Sequence, residues 1–156
     1  MGSVNGGVYS LDASSGLQLW NYSTGDSFDS SPTVVNDLVY VVSSYGNIYC
    51  LDTANGNKVW NFSIGYTASG TSPAVSGGYV YVGNHDGNVF CLDAANGSKI
   101  WNFSTGGAVR SPAVADGYVY VGSADGNAYC LRASDGARIW NYTCLLYTSP
   151  SPRDRS

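Results

Sequence analysis

Few side chains in this 156-residue chain are of types suited to chemistry. The one histidine, His85, precedes Asp86 in a Gly- and Asn-rich stretch, the setting of a solvated turn residue rather than of a ligand or general base. Cys50, Cys91 and Cys130 recur at one position of a repeated pattern, where Ser10 stands in the first copy. Equivalent positions point the same way and lie too far apart for the Cα separation of a disulfide. Nor do they have the spacing of a zinc site, and they read as small buried fillers. All eleven acidic residues are Asp, so no Glu is available, and no two cysteines are adjacent. Arg110 stands at the mouth of an inner strand, where Ser30 and Thr71 occupy the equivalent places, and is a candidate anion contact facing a central channel. Asp26, Phe28, Asp29 and Tyr66 fall in loops of variable length and could join that surface. No set of residues qualifies as catalytic, cofactor-binding or metal-ligating.

Positioning any of these falls to a repeated unit. A Trp followed by Asn, an aromatic and a hydroxyl residue recurs at Trp20, Trp60, Trp101 and Trp140, and a Ser-Pro recurs at Pro32, Pro73 and Pro112. Each proline lies 14 residues before a Gly-Asn, at Gly46, Gly87 and Gly126, and each of those glycines lies 14 residues before its tryptophan. Only the stretch from tryptophan to the next proline varies, through 12, 13 and 11 residues. A period of about forty with a constant core and one elastic joint signals a repeat architecture whose length changes collect in loops on one face.

Within the unit the period is two. Short runs of β-branched and aromatic residues, such as 79–82 and 89–92, are bounded by Gly, Asn and Asp, as strands require. Ser76-Gly77-Gly78, His85-Asp86-Gly87-Asn88 and Ala95-Asn96-Gly97 supply residues that reach positive φ cheaply. Four antiparallel strands follow: A over 73–75, B over 79–82, C over 89–92 and D over 99–103. Four-stranded units at this period are propeller blades. The fold class is therefore all-β, a partial β-propeller forming an open arc. It comprises half a blade in 1–30 (strands over 7–11 and 18–22), then blades at 31–70, 71–110 and 111–143.

The marks of a WD repeat are absent. Instead Cys91-x-Asp93-x-x-Asn96-Gly97-x-x-x-Trp101 resembles the tryptophan-docking motif of pyrroloquinoline-quinone-type (PQQ-like) β-propellers, Ala-x-Asp-x-x-Thr-Gly-x-x-x-Trp. The match recurs as Ser10, Asp12, Ser15, Gly16, Trp20 and as Cys50, Asp52, Asn55, Gly56, Trp60. A fourth copy, Cys130, Asp135, Gly136, Trp140, has Arg132 where the others have Asp. Local chemistry explains the spacing. Asp93 opens a tight turn by accepting backbone N–H bonds, and Gly97 takes the strained dihedral. Trp101 then turns a flat face toward the neighbouring blade. Burying an indole of about 200 Å² contributes several kcal/mol if its N–H finds an acceptor.

The resemblance also raises a quinone-cofactor dehydrogenase, in which Glu, Asn and Asp hold a calcium beside the cofactor and a pair of adjacent cysteines covers it. With no Glu and no such pair, those groups would have to lie outside this chain. The expectation is a non-enzymatic module with no cofactor, although a full-length parent could differ. Its role would be that of a binding or scaffold propeller. The alternatives are an assembly scaffold like the outer-membrane biogenesis lipoprotein propeller and a piece of a quinoprotein dehydrogenase.

A net charge of −4 without a basic stripe argues against nucleic acid, and no basic amphipathic stretch supports a membrane surface. No apolar run approaches the ~20 residues of a membrane span, and no signal peptide is visible. Residues 1–4 read as the end of a strand B, so the native N-terminus is expected to lie upstream. An exported parent, secreted, periplasmic or on the cell surface, is the expectation. In such a parent Asn21, Asn61, Asn96, Asn102 and Asn141, each in Asn-x-Ser/Thr, become glycan acceptors on the outer rim, although four of them also belong to the repeat consensus. Residues 144–156 break the pattern and resemble the translated read-through of a sequencing adapter, so they and Cys144 stand outside fold reasoning. An open arc leaves an apolar face at each end. The expected partners are a protein or the missing blades of the same propeller, and the isolated chain should associate.

Overall fold

The computed structural model describes residues 6–67 and 70–143. The expectations for residues 1–4 and for the tail 144–156, with Cys144, lie outside the described residues. The described chain is all strand, turn and loop, without helix. β1 (Gly7–Leu11) and β2 (Gln18–Ser23) form a two-stranded sheet. Three four-stranded antiparallel sheets follow, each in sequential order. The first holds β3 (Thr33–Val35), β4 (Leu38–Val42), β5 (Asn47–Asp52) and β6 (Lys58–Ser63). The second holds β7 (Ala74–Ser76), β8 (Tyr79–Gly83), β9 (Asn88–Asp93) and β10 (Lys99–Ser104). The third holds β11 (Ala113–Ala115), β12 (Tyr118–Gly122), β13 (Asn127–Arg132) and β14 (Arg138–Thr143). The arrangement is an open arc of blades. Among the described residues no helix is long and apolar enough to cross a membrane.

Turn chemistry sets the hairpins. Gly77 and Gly78 both take positive φ, 60° and 86°, the combination a two-residue hairpin matched to strand twist requires. In the next blade Asp116 and Gly117 do the same at 53° and 83°. Between strands C and D every sheet carries a bulge. Cys50 faces Trp60 but Leu51 faces Lys58, so Val59 is the extra residue. Leu19, Ile100 and Ile139 are its counterparts. Each is exposed, at 63%, 45% and 42%. The slip turns one apolar side chain outward and lets the adjacent tryptophan point along the seam.

Because an internal blade is covered on both sides, its central strands are apolar on both faces. Tyr40, Val42, Ile48, Cys50 and Trp60 pack forward against Val80, Val82, Leu92 and Ala94 of the next blade. Val39, Val41, Tyr49 and Leu51 of the same blade pack backward against Val8 and Phe28. A third such core joins the last two blades around Tyr81, Trp101, Val119 and Leu131. The core thus lies in seams between sheets. Phe28, expected on the variable-loop surface, is instead 2% exposed and meets the Tyr49 ring at 5.9 Å. An aromatic ring placed beside an open seam gains more by filling it than by facing solvent.

Candidate functional site

The candidate site is the seam face of each blade, built from one cross-strand row. Register places Tyr40 opposite Cys50 and Cys50 opposite Trp60. Tyr81, Cys91 and Trp101 form the same row, as do Tyr120, Cys130 and Trp140. The small cysteine between two rings lets them approach, with centroids at 6.0, 6.0 and 6.2 Å. Cys50, Cys91 and Cys130 are buried and free. Burial pushes the Cys50 and Cys91 thiols up to about 11, so neither is a thiolate at neutral pH. Burial, with the adjacent Cys50 and Cys91, also pushes the Tyr40 and Tyr81 hydroxyls up to about 12.

The indole N–H groups of Trp20, Trp60 and Trp101 each reach a main-chain carbonyl in the next blade's C–D turn. Trp20 Nε1 donates to Thr53 O at 2.8 Å, Trp60 Nε1 to Ala94 O at 2.9 Å and Trp101 Nε1 to Ala133 O at 2.9 Å. The Tyr40 hydroxyl donates to the same Ala94 carbonyl at 3.2 Å. Beneath each of these three rings lies the turn glycine of the next blade. A Cβ at Gly97 would stand 2.5 Å from Trp60 Cε3, and one at Gly136 2.5 Å from Trp101 Cε3. Gly56 lies under Trp20 in the same way. Trp140, with no blade beyond it among the described residues, is 46% exposed. The Val-Tyr-Val triplets of strand B are the sequence signal for the tyrosine of the row, which spacing from the tryptophan alone does not reveal.

The turns themselves are held locally. Asp12 accepts the Ser14 hydroxyl at 2.6 Å and the Ser15 and Ser14 N–H groups at 2.9 Å, which hold its carboxyl down at about 2. Asp52 and Asp93 accept the Ala54 and Ala95 N–H groups at 2.8 Å. Arg132 cannot accept. It donates to Asp135 at 2.9 Å in an exposed ion pair, while the backbone bond from Gly136 N to its carbonyl stays at 2.8 Å, as in the other turns.

On the axial side the Ser-Pro steps form a ladder. Ser31 N–H donates to Ser72 Oγ at 3.1 Å and Ser72 N–H to Ser111 Oγ at 2.9 Å, each across a seam. The sequence reading uses these serines only as repeat markers. The residue before each ladder serine differs: the Ser30 hydroxyl exchanges bonds with the backbone of Val42 at 3.0 and 3.2 Å and is buried, whereas Arg110 is exposed. Arg110, Ser111, Ser123, Asn127 and Ala128 border an open cavity of about 480 Å³. Nearby, Asp125 bridges blades. Desolvation raises its carboxyl, but bonds from the Tyr129 hydroxyl, the Gly106 and Asn127 N–H groups and Ser123 outweigh it and hold it at about 2.

His85 is exposed in the B–C turn, with its ring 5.4 Å from the exposed Tyr66 ring. Asp29 accepts from the Ser44 hydroxyl at 3.1 Å, and Asp26 N–H donates to Thr24 Oγ1 at 3.0 Å. Asn21, Asn61, Asn102 and Asn141 lie exposed on the outer edge strands and Asn96 in an exposed turn. Lys58 Nζ donates to Asn61 Oδ1 at 2.9 Å, and Lys99 Nζ to Asn102 Oδ1 at 3.1 Å. Among the described residues no group of three or more His, Cys, Asp or Glu could hold a metal ion.

Residues 1–107 match the model of the family described as outer membrane protein assembly factor BamB. The crystal structure of BamB from Moraxella catarrhalis superposes with a TM-score of 0.78 at 24% identity, over 90% of this chain and 47% of that one. Quinohemoprotein alcohol dehydrogenase from Comamonas testosteroni gives 0.64 at 26% identity, over 76% of this chain and 21% of that one. Saccharomyces cerevisiae Sqt1 gives 0.81 at 13% identity, over 92% and 43%, a likeness of fold alone. The chain thus spans about half the length of the BamB structure it resembles. No curated protein sequence matches it.

Proposed function

The chain belongs to the family described as outer membrane protein assembly factor BamB, and from that premise we propose that it is a non-catalytic binding or scaffold module, part of a larger PQQ-like propeller. One observation carries the reading. The seam row is repeated in all three four-stranded blades, and in the last of them Tyr120 and Trp140 present it outward, 37% and 46% exposed. A contiguous aromatic face of this kind is built to meet protein. In this reading Trp20, Trp60, Trp101 and Trp140, with Asp12, Asp52, Asp93, Gly16, Gly56, Gly97 and Gly136, are structural docking residues. The partners are further blades or another protein.

The chemistry of the chain supports the same reading. It contains no Glu and no adjacent cysteines, and its Cys50 and Cys91 thiols are protonated at neutral pH. A second reading, a piece of a quinoprotein dehydrogenase, draws on the likeness to the Comamonas enzyme. Titration with pyrroloquinoline quinone and calcium, followed by tryptophan fluorescence, separates the two. No saturable change is expected, and stoichiometric binding would overturn the scaffold reading. For an exported parent the exposed asparagines are the proposed glycan acceptors, and Arg110 is a proposed anion contact beside the axial ladder. Mass spectrometry of native protein checks the former.

A further inference from the structure

We propose that the seam between the blades at 71–110 and 111–143 holds a binding site for a small, neutral aromatic molecule of one or two rings, whose carbonyl oxygen accepts a hydrogen bond from the Tyr81 hydroxyl. On the side of the A–B and C–D turns this seam opens a cavity of about 450 Å³, inside the range of about 300–1,000 Å³ in which small-molecule sites fall. Tyr79 and Tyr81 of one blade and Val114 and Ala133 of the next wall it, with the hydroxyl residues Ser76 and Ser134 beside them. All residues that border it are uncharged. An anion or cation would therefore be desolvated there without a counter-charge, which selects a neutral ligand. Both blades belong to the described residues, so the walls of the site are present whatever lies beyond either end of the chain.

The preceding seam, built from the same elements, is the internal comparison. There the Tyr40 hydroxyl donates to Ala94 O at 3.2 Å. Tyr81 is its counterpart by register, and Ala133 O takes the place of Ala94 O as acceptor of the indole. Yet among the described residues no oxygen or nitrogen bonds the Tyr81 hydroxyl, and its neighbour is the Cys91 thiol, a weak partner. Tyr81 is 2% exposed and borders the cavity. A hydroxyl buried in this way is satisfied by what the cavity holds. Two further exchanges open the space. Leu38 packs into the core of its seam, whereas Tyr79 at the same place stands 39% exposed and offers a ring face as a wall. Asn36, at φ 56°, is replaced by Gly77 at φ 60°, and nothing lies within 4 Å of its Cβ position. Aromatic and small apolar walls with one inward hydroxyl hold a flat ring and fix its orientation through a single acceptor.

Equilibrium dialysis of the full chain against 2-naphthamide, with 2-naphthoate as an anion of the same shape, tests the site. The amide is expected to bind saturably at one equivalent per chain, and the carboxylate about tenfold more weakly or not at all. Tyr81→Phe keeps the ring and should weaken the amide about three- to tenfold, the net worth of one hydrogen bond. Gly77→Asn with Tyr79→Leu gives this seam the residues of the preceding one and should abolish saturable binding. Melting followed by circular dichroism shows whether each variant folds, and Tyr81→Phe carries the test if the double variant does not. Absence of saturable binding, as when the cavity holds only water, overturns the proposal. So does binding that the substitutions leave unchanged, the result expected if the amide collects on the exposed Trp140 face, or equal binding of the carboxylate. The quinone titration uses a different ligand, so the scaffold reading stands or falls separately.

Discussion

Gly16 and Gly97 share a backbone conformation and differ in what lies above them, which makes them a matched pair for experiment. Alanine at either position carries the left-handed penalty of about 1–2 kcal/mol. At Gly97 its Cβ also meets the Trp60 ring at 2.5 Å, adding an overpacking cost of about 1–3 kcal/mol. Urea unfolding at low protein concentration should find Gly97→Ala less stable than Gly16→Ala by that second amount, and equal losses would contradict the seam geometry. The buried row makes a second prediction. The Cys50 and Cys91 thiols sit at about 11 against an ordinary 9.0, and the Tyr40 and Tyr81 hydroxyls at about 12 against 10.0. Folding favours the neutral forms, so their contribution is complete below pH 9 and is lost as pH rises through 11 to 12. The melting temperature should hold from pH 7 to 9 and fall beyond it, less steeply in the Cys50→Ala, Cys91→Ala double variant. The tryptophans and turn glycines were legible from spacing. Tyr40 is marked only by the Val-Tyr-Val triplet that strand B repeats, and that triplet does not reveal that its hydroxyl reaches Ala94.

At the scale of the element, the fourth C–D turn shows how much of its shape is side chain and how much backbone. Arg132 removes the carboxylate that caps the other turns, yet the backbone bonds from Arg132 N to Ala137 O and from Gly136 N to Arg132 O keep 2.8 Å. The exposed Arg132–Asp135 pair is worth at most about 1 kcal/mol. Replacing both, as Arg132→Asp with Asp135→Asn, recreates the Asp93 and Asn96 turn and should stabilise the last blade by about 0.5–1 kcal/mol in urea unfolding. Strands and hairpins were read to within about one residue, because apolar runs and turn residues alternate cleanly in this chain. The bulge was hidden. In Lys58-Val59-Trp60 two adjacent apolar residues fit a strand on either face, and only pairing with Cys50 and Leu51 shows that Val59 is the one turned out.

For the molecule as a whole, stability should follow the seams. β14 pairs with β13 in the register that β6 and β10 make with their neighbours, yet all its residues are exposed, while β6 and β10 each bury a tryptophan. Amide exchange at monomer concentration should therefore be about tenfold or more faster in β14 than in β6 or β10, and uniform protection would mean the blades do not depend on their neighbours. The sequence by itself determined the unit, its four strands, its turns and the tryptophans and turn glycines of the dock, since all of these follow from interactions within a few positions that the chain repeats. Only the tertiary structure decided that the indoles of Trp20, Trp60 and Trp101 cross to carbonyls 33, 34 and 32 residues further on. It also decided that Phe28 fills a seam and that Trp140 and Gly16 are left facing outward. Which blade's ring meets which blade's turn depends on how sheets stack about an axis, and no local preference encodes that.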